Sequence, residues 1–210
     1  MKNKSDCPQC GAPVEFQFSN AVQTTCPYCQ SILVRTDVDL KRVGEMSDIS
    51  MDSSPIQLRT EGIYRNKAFQ VVGRIVYHYE GGTWNEWHLG FQDGTSGWLS
   101  DAQLDYAISF ASKDHPRIPP ESNIGRGYRM KIRDTELSVT TMTKARYGGV
   151  EGELPFEYWD KTEMVFADLR STSRGFATID YSEDPPLFFI GEAVEFDDLK
   201  LRNLREFEGW

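Results

Sequence analysis

The chain has 210 residues and a net charge of −9, with hydrophobic residues at 39% and aromatics at 12%. That apolar content supports a packed core and excludes wholesale disorder, and the length suits one ordinary domain plus a small one, or two halves of a larger one. No apolar run approaches the roughly 18 residues that a membrane-spanning helix needs, and the acidic balance opposes long-range attraction to a phosphate backbone.

The opening residues, Met1 to Cys7, hold no apolar stretch. They predict no secretory leader and hence a cytoplasmic chain. Cys7-Pro8-Gln9-Cys10 is followed after fifteen residues by Cys26-Pro27-Tyr28-Cys29. Each C-x-x-C turn points two sulfurs the same way, and two such turns on facing hairpins close a tetrahedron around one ion. The expectation is a zinc ribbon over residues 1–36 holding one structural Zn²⁺ per chain, with Cys7, Cys10, Cys26 and Cys29 as ligands. Gly11 suits a positive φ after the first pair; Gln30 stands at the matching place after the second, so that turn is expected to be strained. Disulfides, a redox-active C-x-x-C, catalytic zinc and an iron–sulfur cluster compete with this reading. No oxidising compartment, βαβ context or open coordination position speaks for the first three, and the cluster stays open.

Residues 37–57 read as a polar linker in which Leu40, Val43 and Met46 suggest one amphipathic turn, weakened by Gly44. From there the text is strands and turns. A hairpin spans residues 68–79 and 84–91 around Gly81-Gly82. This predicts Tyr79 opposite Trp84, Tyr77 opposite Glu86 and Ile75 opposite His88, all six on one face. Val72, Val76, Trp87, Leu89 and Phe91 form the other face, a core layer. Asp93-Gly94 marks a second turn before Trp98 and Leu99. Residues 101–111 suit either a short helix, through a capping box at Ser100 to Gln103, or a further strand.

His115 to Pro120 is a loop and the internal boundary, giving halves 58–115 and 121–210 of one β-rich domain, 58–210. Strands are expected around 128–132, 137–147, 164–169, 176–181 and 187–196, separated by Gly148-Gly149, by residues 171–175 and by Asp184-Pro185-Pro186. A short helix over 198–207 closes the chain. The halves end alike, which suggests a distant structural repeat. The fold class is therefore mainly β: a small ribbon, then antiparallel strands in two consecutive halves, with few short helices.

Several stretches carry a family resemblance: Phe69-Gln70-Val71-Val72-Gly73-Arg74-Ile75, Trp84-Asn85-Glu86-Trp87, Asp93-Gly94, Trp98-Leu99-Ser100, Gly152-Glu153-Leu154-Pro155-Phe156 and Gly191-Glu192. Through them residues 58–200 resemble the bacterial family called domain of unknown function 4178. That family has no established catalytic residues. The resemblance implies a zinc-ribbon start and a setting near membrane-stress proteins, hence a peripheral place at the inner membrane in a membrane-associated complex.

Of three histidines, His88 shares a face with Glu86, a general-base arrangement if they meet. The bland reading is ordinary half-buried strand surface. Tyr77, Tyr79 and Trp84 on that face form either a recognition patch or a face covered by the second half. No nucleophile or phosphate-loop motif occurs, and the metal takes every thiol. The basic stretch 126–146 reads as a solvated strand face. The resulting expectation is a zinc-binding, non-enzymatic interaction or adaptor protein with protein partners, whose binding face is Tyr77, Tyr79, Trp84, Glu86 and His88. The alternatives are a hydrolase using Glu86 and His88, and nucleic-acid binding through the ribbon.

Overall fold

A computed structural model describes residues 4–36, 39–46, 54–112, 116–132, 134–158 and 163–207. The ribbon carries β1 (Lys4–Asp6), β2 (Pro13–Glu15), β3 (Gln23–Thr25), β4 (Ser31–Arg35) and β5 (Leu40–Glu45). β1 pairs with β2, and β3, β4 and β5 form a second antiparallel sheet. The stretch expected as linker thus supplies a strand instead of a helical turn: Leu40–Glu45 takes the free edge of β4, burying Leu40 in the ribbon core. Ser47, Ser50, Ser53, Arg133 and His115 lie outside the described residues.

The body contains β6 (Glu61–Tyr64), β7 (Lys67–Tyr79), β8 (Gly82–Phe91), β9 (Ser96–Ala102) and β10 (Asp105–Ala111). After a long connection come β11 (Arg129–Ile132), β12 (Thr135–Gly152), β13 (Met164–Arg170), β14 (Gly175–Asp180) and β15 (Leu187–Val194). Each half is a five-strand antiparallel meander. β10 pairs with β15, and β12 leaves β13 to pair with β7, so the sheet closes on itself. Among the described residues the closed ring is β7-β8-β9-β10-β15-β14-β13-β12, an eight-stranded antiparallel barrel, with β6 and β11 as flanking strands. Gly148-Gly149 does not separate two strands as expected. It lies inside β12 at a bulge between Tyr147 and Gly149, where the strand bends to reach its new partner.

The first hairpin has a tighter turn than expected. Tyr79 pairs with Gly82 around Glu80-Gly81, so Tyr77 faces Trp84, Ile75 faces Glu86 and Gly73 faces His88. The slip is two residues, and the side-chain period is two, so the six residues still share a face. A bulge between Val71 and Gly73 turns Val72 to the ribbon and puts Val71 in the outer layer. Residues 101–111 are strand: Gln103 and Leu104, both at positive φ, make the tight turn from β9 to β10. The closing helix is one 3₁₀ turn, Phe196–Leu199. Lys200 is left-handed there, and Arg202 exchanges backbone hydrogen bonds with Glu61, which pins the chain to β6.

Apolar packing lies on both sides of the ring: inside, Ile75, Tyr77, Trp84, Trp98 and Phe166 cluster with Leu154 and Tyr158. Trp87, Leu89, Leu99 and Ile108 point outward and are covered by Ile56, Leu199 and their neighbours; Leu137, Leu169 and Ile179 are covered by β11, Ile118 and Ile124. The ribbon docks on the barrel. Gln17 N and Phe18 N donate to the Glu153 carboxylate at 2.7 and 2.8 Å. Leu154 and Gln23 exchange backbone bonds of 2.9 and 3.1 Å. Gln23 Nε2 donates to Tyr158 O at 3.0 Å while its Oε1 accepts from the Tyr158 amide at 2.7 Å. At Gly73 the backbones approach so closely that an added Cβ would sit 2.0 Å from Glu153 O.

Replacing Glu153 by Ala leaves two amides without an acceptor. Such charge-assisted bonds are worth about 1.5–3 kcal/mol each. The expected loss is about 3 kcal/mol in urea denaturation, together with increased hydrogen exchange at Gln17 and Phe18.

Candidate metal centre and barrel chamber

Cys7 Sγ lies 3.7 Å from Cys29 Sγ and Cys10 Sγ lies 3.8 Å from Cys26 Sγ, and all four sulfurs fall within 4.8 Å of one another. A tetrahedral ion with bonds of about 2.3 Å requires sulfurs about 3.8 Å apart, whereas a disulfide requires about 2.05 Å. Sulfurs ligating separate irons of a cluster would stand farther apart. The donor set therefore fits a single metal ion. Each knuckle is built by its own backbone: Cys7 N donates to Ala12 O and Gly11 N to Cys7 O, while Cys26 N donates to Ser31 O and Gln30 N to Cys26 O. Gly11 has φ +73° and Gln30 φ +59°, so the second knuckle holds a left-handed non-glycine residue as expected. Hydrogen bonds to the Ser31 side chain and backbone bring the Cys29 thiol down to about 6, whereas Cys10, against a backbone hydrogen bond at Ala12, is raised by loss of solvation and the other three sulfurs.

Inside the barrel is a cavity of about 730 Å³. All eight ring strands contribute alternate side chains to its wall. Ile75, Tyr77 and Tyr79 come from β7, Trp84 and Glu86 from β8, and Trp98 and Ser100 from β9. Ala107 and Ser109 come from β10, Thr141 and Thr143 from β12, Phe166 and Asp168 from β13, Thr178 and Asp180 from β14, and Phe189 from β15. Phe156 and Tyr158, in the segment that Gln23 clamps, line it too. Among the described residues, the Cys quartet is the cluster of Cys, His, Asp or Glu close enough to share a metal.

Of the expected face, Tyr77, Tyr79, Trp84 and Glu86 line this chamber. Trp84 is only 9% exposed and packs against Phe166 of the second half. These rings therefore face the interior and do not form an outer patch. His88 is fully buried beyond the chamber wall. Its Nδ1 donates to Glu153 O at 2.7 Å and its Nε2 accepts from Ser96 Oγ at 2.6 Å, under Trp98 and against Phe18 of the ribbon. Glu86 accepts instead from Trp84 Nε1 at 3.2 Å and Ser100 Oγ at 2.9 Å. The carboxylate–imidazole pair is thus not assembled, because each partner is committed elsewhere. Burial holds the His88 imidazole down at about 4, a neutral structural ring. Burial pushes the Glu86 carboxyl up to about 8, reinforced by Asp168 and Asp180 and opposed by its Ser100 and Trp84 bonds. Burial also raises Asp168, against a hydrogen bond from Thr178.

Comparison with family models matches residues 57–196 to "Domain of unknown function (DUF4178)". The chain belongs to the DUF4178 family. The matched stretch is the barrel and excludes the ribbon. No curated protein and no solved structure matches the chain. No helix among the described residues is long and apolar enough to cross a membrane. The motif text of this DUF4178 chain acquires physical roles: Glu153 and Leu154 of Gly-Glu-Leu-Pro-Phe hold the ribbon, and Phe156 stacks on Trp98 at the chamber. Sequence reasoning missed Asp168, Asp180, Thr178 and Phe166. Their signal was present as Phe166-x-Asp168 and Thr178-x-Asp180 alternating with Ala167, Leu169, Ala177 and Ile179.

Two outcomes follow. Gln30→Gly should raise stability by about 0.5–1 kcal/mol in thermal denaturation, since relief of left-handed strain outweighs the added freedom of the unfolded chain. The carboxyl of Glu86 keeps its proton in the fold between its ordinary 4.5 and about 8 while the unfolded chain loses it, so this group lowers stability as pH rises through that window. His88 acts oppositely, lowering stability as pH falls from its ordinary 6.5 towards 4. Denaturation measured across pH should therefore show Glu86→Gln gaining on the wild type as pH climbs from 5 to 8; parallel curves would refute the assignment.

Proposed function

We propose that this chain is a zinc-stapled, non-enzymatic binding protein whose binding site is the interior of its barrel. The observation that carries this reading is the cavity of about 730 Å³, walled by alternate side chains of every ring strand. Its size lies within the range of small-molecule sites, roughly 300–1,000 Å³. Small barrels are otherwise filled by their own side chains or hold one ligand. The wall mixes apolar rings with a few convergent polar groups, the usual composition of a ligand pocket. A binding role is favoured over hydrolysis because Glu86 and His88 do not meet, and among the described residues the thiols are gathered in the metal quartet.

Zinc is favoured as the ion because four thiolates close a tetrahedral shell without an open position, the pattern of structural zinc. Its role is to fold a ribbon too small to hold itself, so that Gln23 and the Glu153 clamp fix the chamber segment 154–158. Binding energy at such sites is folding energy.

Purified protein should carry about one zinc per chain by metal analysis. It should also take up a solvatochromic apolar dye in the chamber, read as dye emission and quenching of tryptophan. Thr143→Trp, which places an indole in the cavity, should abolish uptake while the protein still melts cooperatively. Chelation of the metal should weaken uptake by freeing residues 154–158. Dye uptake unaffected by Thr143→Trp would refute the chamber as the site.

A further inference from the structure

The inward face carries one arrangement of side chains twice, once in each meander. In the third strand of the first meander, Trp84-Asn85-Glu86 sets a ring and a carboxyl at successive inward positions; in the fourth, Trp98-Leu99-Ser100 sets a ring and a hydroxyl. The second meander repeats this with Phe166-Ala167-Asp168 and Phe176-Ala177-Thr178. In both, the carboxyl and the hydroxyl are cross-strand partners, Glu86 with Ser100 and Asp168 with Thr178. Ser100 Oγ lies 2.9 Å from each Glu86 oxygen, and Thr178 hydrogen-bonds Asp168. Thr141 extends the second pair onto β12. Further rings border the first pair: Tyr77 stacks on Trp84 at 4.7 Å and Phe156 on Trp98 at 5.7 Å. The two pairs share one space, since Asp168 acts electrostatically on Glu86.

We propose that the chamber binds a neutral glycoside, its hydroxyl-bearing sugar ring held by the two carboxyl–hydroxyl pairs and its apolar body laid on the aromatic wall. This rests on the chamber reading above and adds the ligand's class to it. A sugar hydroxyl both donates and accepts, as do Ser100, Thr141 and Thr178, and a carboxyl accepts when ionised and donates as well when protonated. The match therefore holds in either protonation state of Glu86 and Asp168. A ring with hydroxyls on opposite sides has one for each pair, and the apolar body gains from burial against the rings. Other ligand classes fit less well. An ammonium calls for a carboxylate, whereas Glu86 keeps its proton up to about 8. An anion finds Arg170 as the basic side chain among the described lining residues, and Arg170 is paired with Asp105. An inorganic cation needs several oxygens around one point, and among the described residues no group of carboxylates gathers closely enough to share a metal. A wholly apolar ligand would cover both pairs and leave their remaining donor and acceptor sites unused.

The test titrates the full-length, zinc-loaded protein in mildly acidic buffer with four compounds of one shape, following heat of binding and melting temperature. Phenyl β-glucoside is the neutral glycoside, and 2-phenoxytetrahydropyran is its skeleton without hydroxyls. Phenyl β-glucuronide adds a carboxylate, and phenyl 2-amino-2-deoxy-β-glucoside adds an ammonium. A site built to hydrogen-bond hydroxyls rejects the analogue that lacks them, so the glucoside is expected to bind at least about tenfold more tightly than each of the other three. Glu86→Leu and Thr178→Val, each checked for cooperative melting, should reduce that preference while leaving 2-phenoxytetrahydropyran within about threefold. Glu86→Gln, which keeps a donor and an acceptor, should retain it. A smaller preference in the wild type, or one that survives undiminished in both Glu86→Leu and Thr178→Val, overturns the glycoside class while the chamber stands; where a variant fails to fold, the wild-type series decides alone. Exclusion of all four compounds while the apolar dye still enters also overturns the glycoside class. Exclusion of the dye as well overturns the chamber reading and this proposal with it.

Discussion

Residues Ala145–Gly152 of β12 pair with Gly73–Tyr79 of β7, and this closure sets the character of the whole molecule. Without it, two five-strand meanders would form one open sheet, buried on one face and wet on the other. With it, eight strands lose their free edges, and the two faces of the sheet become an inside and an outside. The bulge at Gly148-Gly149 makes the bend possible, because one strand must serve β13 with its first half and β7 with its second. The outer face is then apolar. It is covered by the segments that link and end the meanders, through Ile56, Ile118, Ile124 and Leu199. The inner face keeps the mixture of rings, hydroxyls and carboxyls.

This inversion explains what the sequence could and could not tell. The cysteine spacing states its own geometry, and the sulfurs stand where a shared ion needs them. Strand alternation around Trp84 and Trp87 was legible, and the faces it assigned survive a two-residue slip in register because the period of a strand is two. What alternation cannot show is which face points inward. Asp168, Thr178 and Asp180 look like solvent-facing residues of half-buried strands, since a polar stripe ordinarily means water. In a closed barrel the same stripe means a chamber. Closure itself depends on β7 meeting β12, a pairing across about seventy residues that local propensity does not encode. The acidic residues missed in the second half and the buried placement of the aromatic face share this cause. The 101–111 segment and the end of the chain were ambiguous for a different reason. Both were decided by left-handed residues at Gln103, Leu104 and Lys200, which sequence pattern marks weakly outside glycine.

The ribbon is physically joined to the chamber. A stack of rings runs from Phe18 in the ribbon through His88 and Trp98 to Phe156 at the cavity. Alongside it, Glu153 caps ribbon amides with its side chain while its carbonyl accepts from His88. Gln23 fixes the backbone of Tyr158 from both its amide atoms. A small module whose own core is slight would gain rigidity from a metal held at the four sulfurs and pass it to one wall of the cavity. The docking of the ribbon also places the family's Gly-Glu-Leu-Pro-Phe text at the seam between the two parts.

The closed ring encloses a hollow that the fold itself keeps open. A crystal structure of the full-length, zinc-loaded protein tests this most directly. The account predicts a closed ring in which β12 pairs with β7. It further predicts a cavity near 730 Å³ walled by alternate side chains of every ring strand. An interior collapsed so that Tyr77, Trp84, Phe166 and Phe189 fill it, or a sheet left open between β12 and β7, would contradict the account.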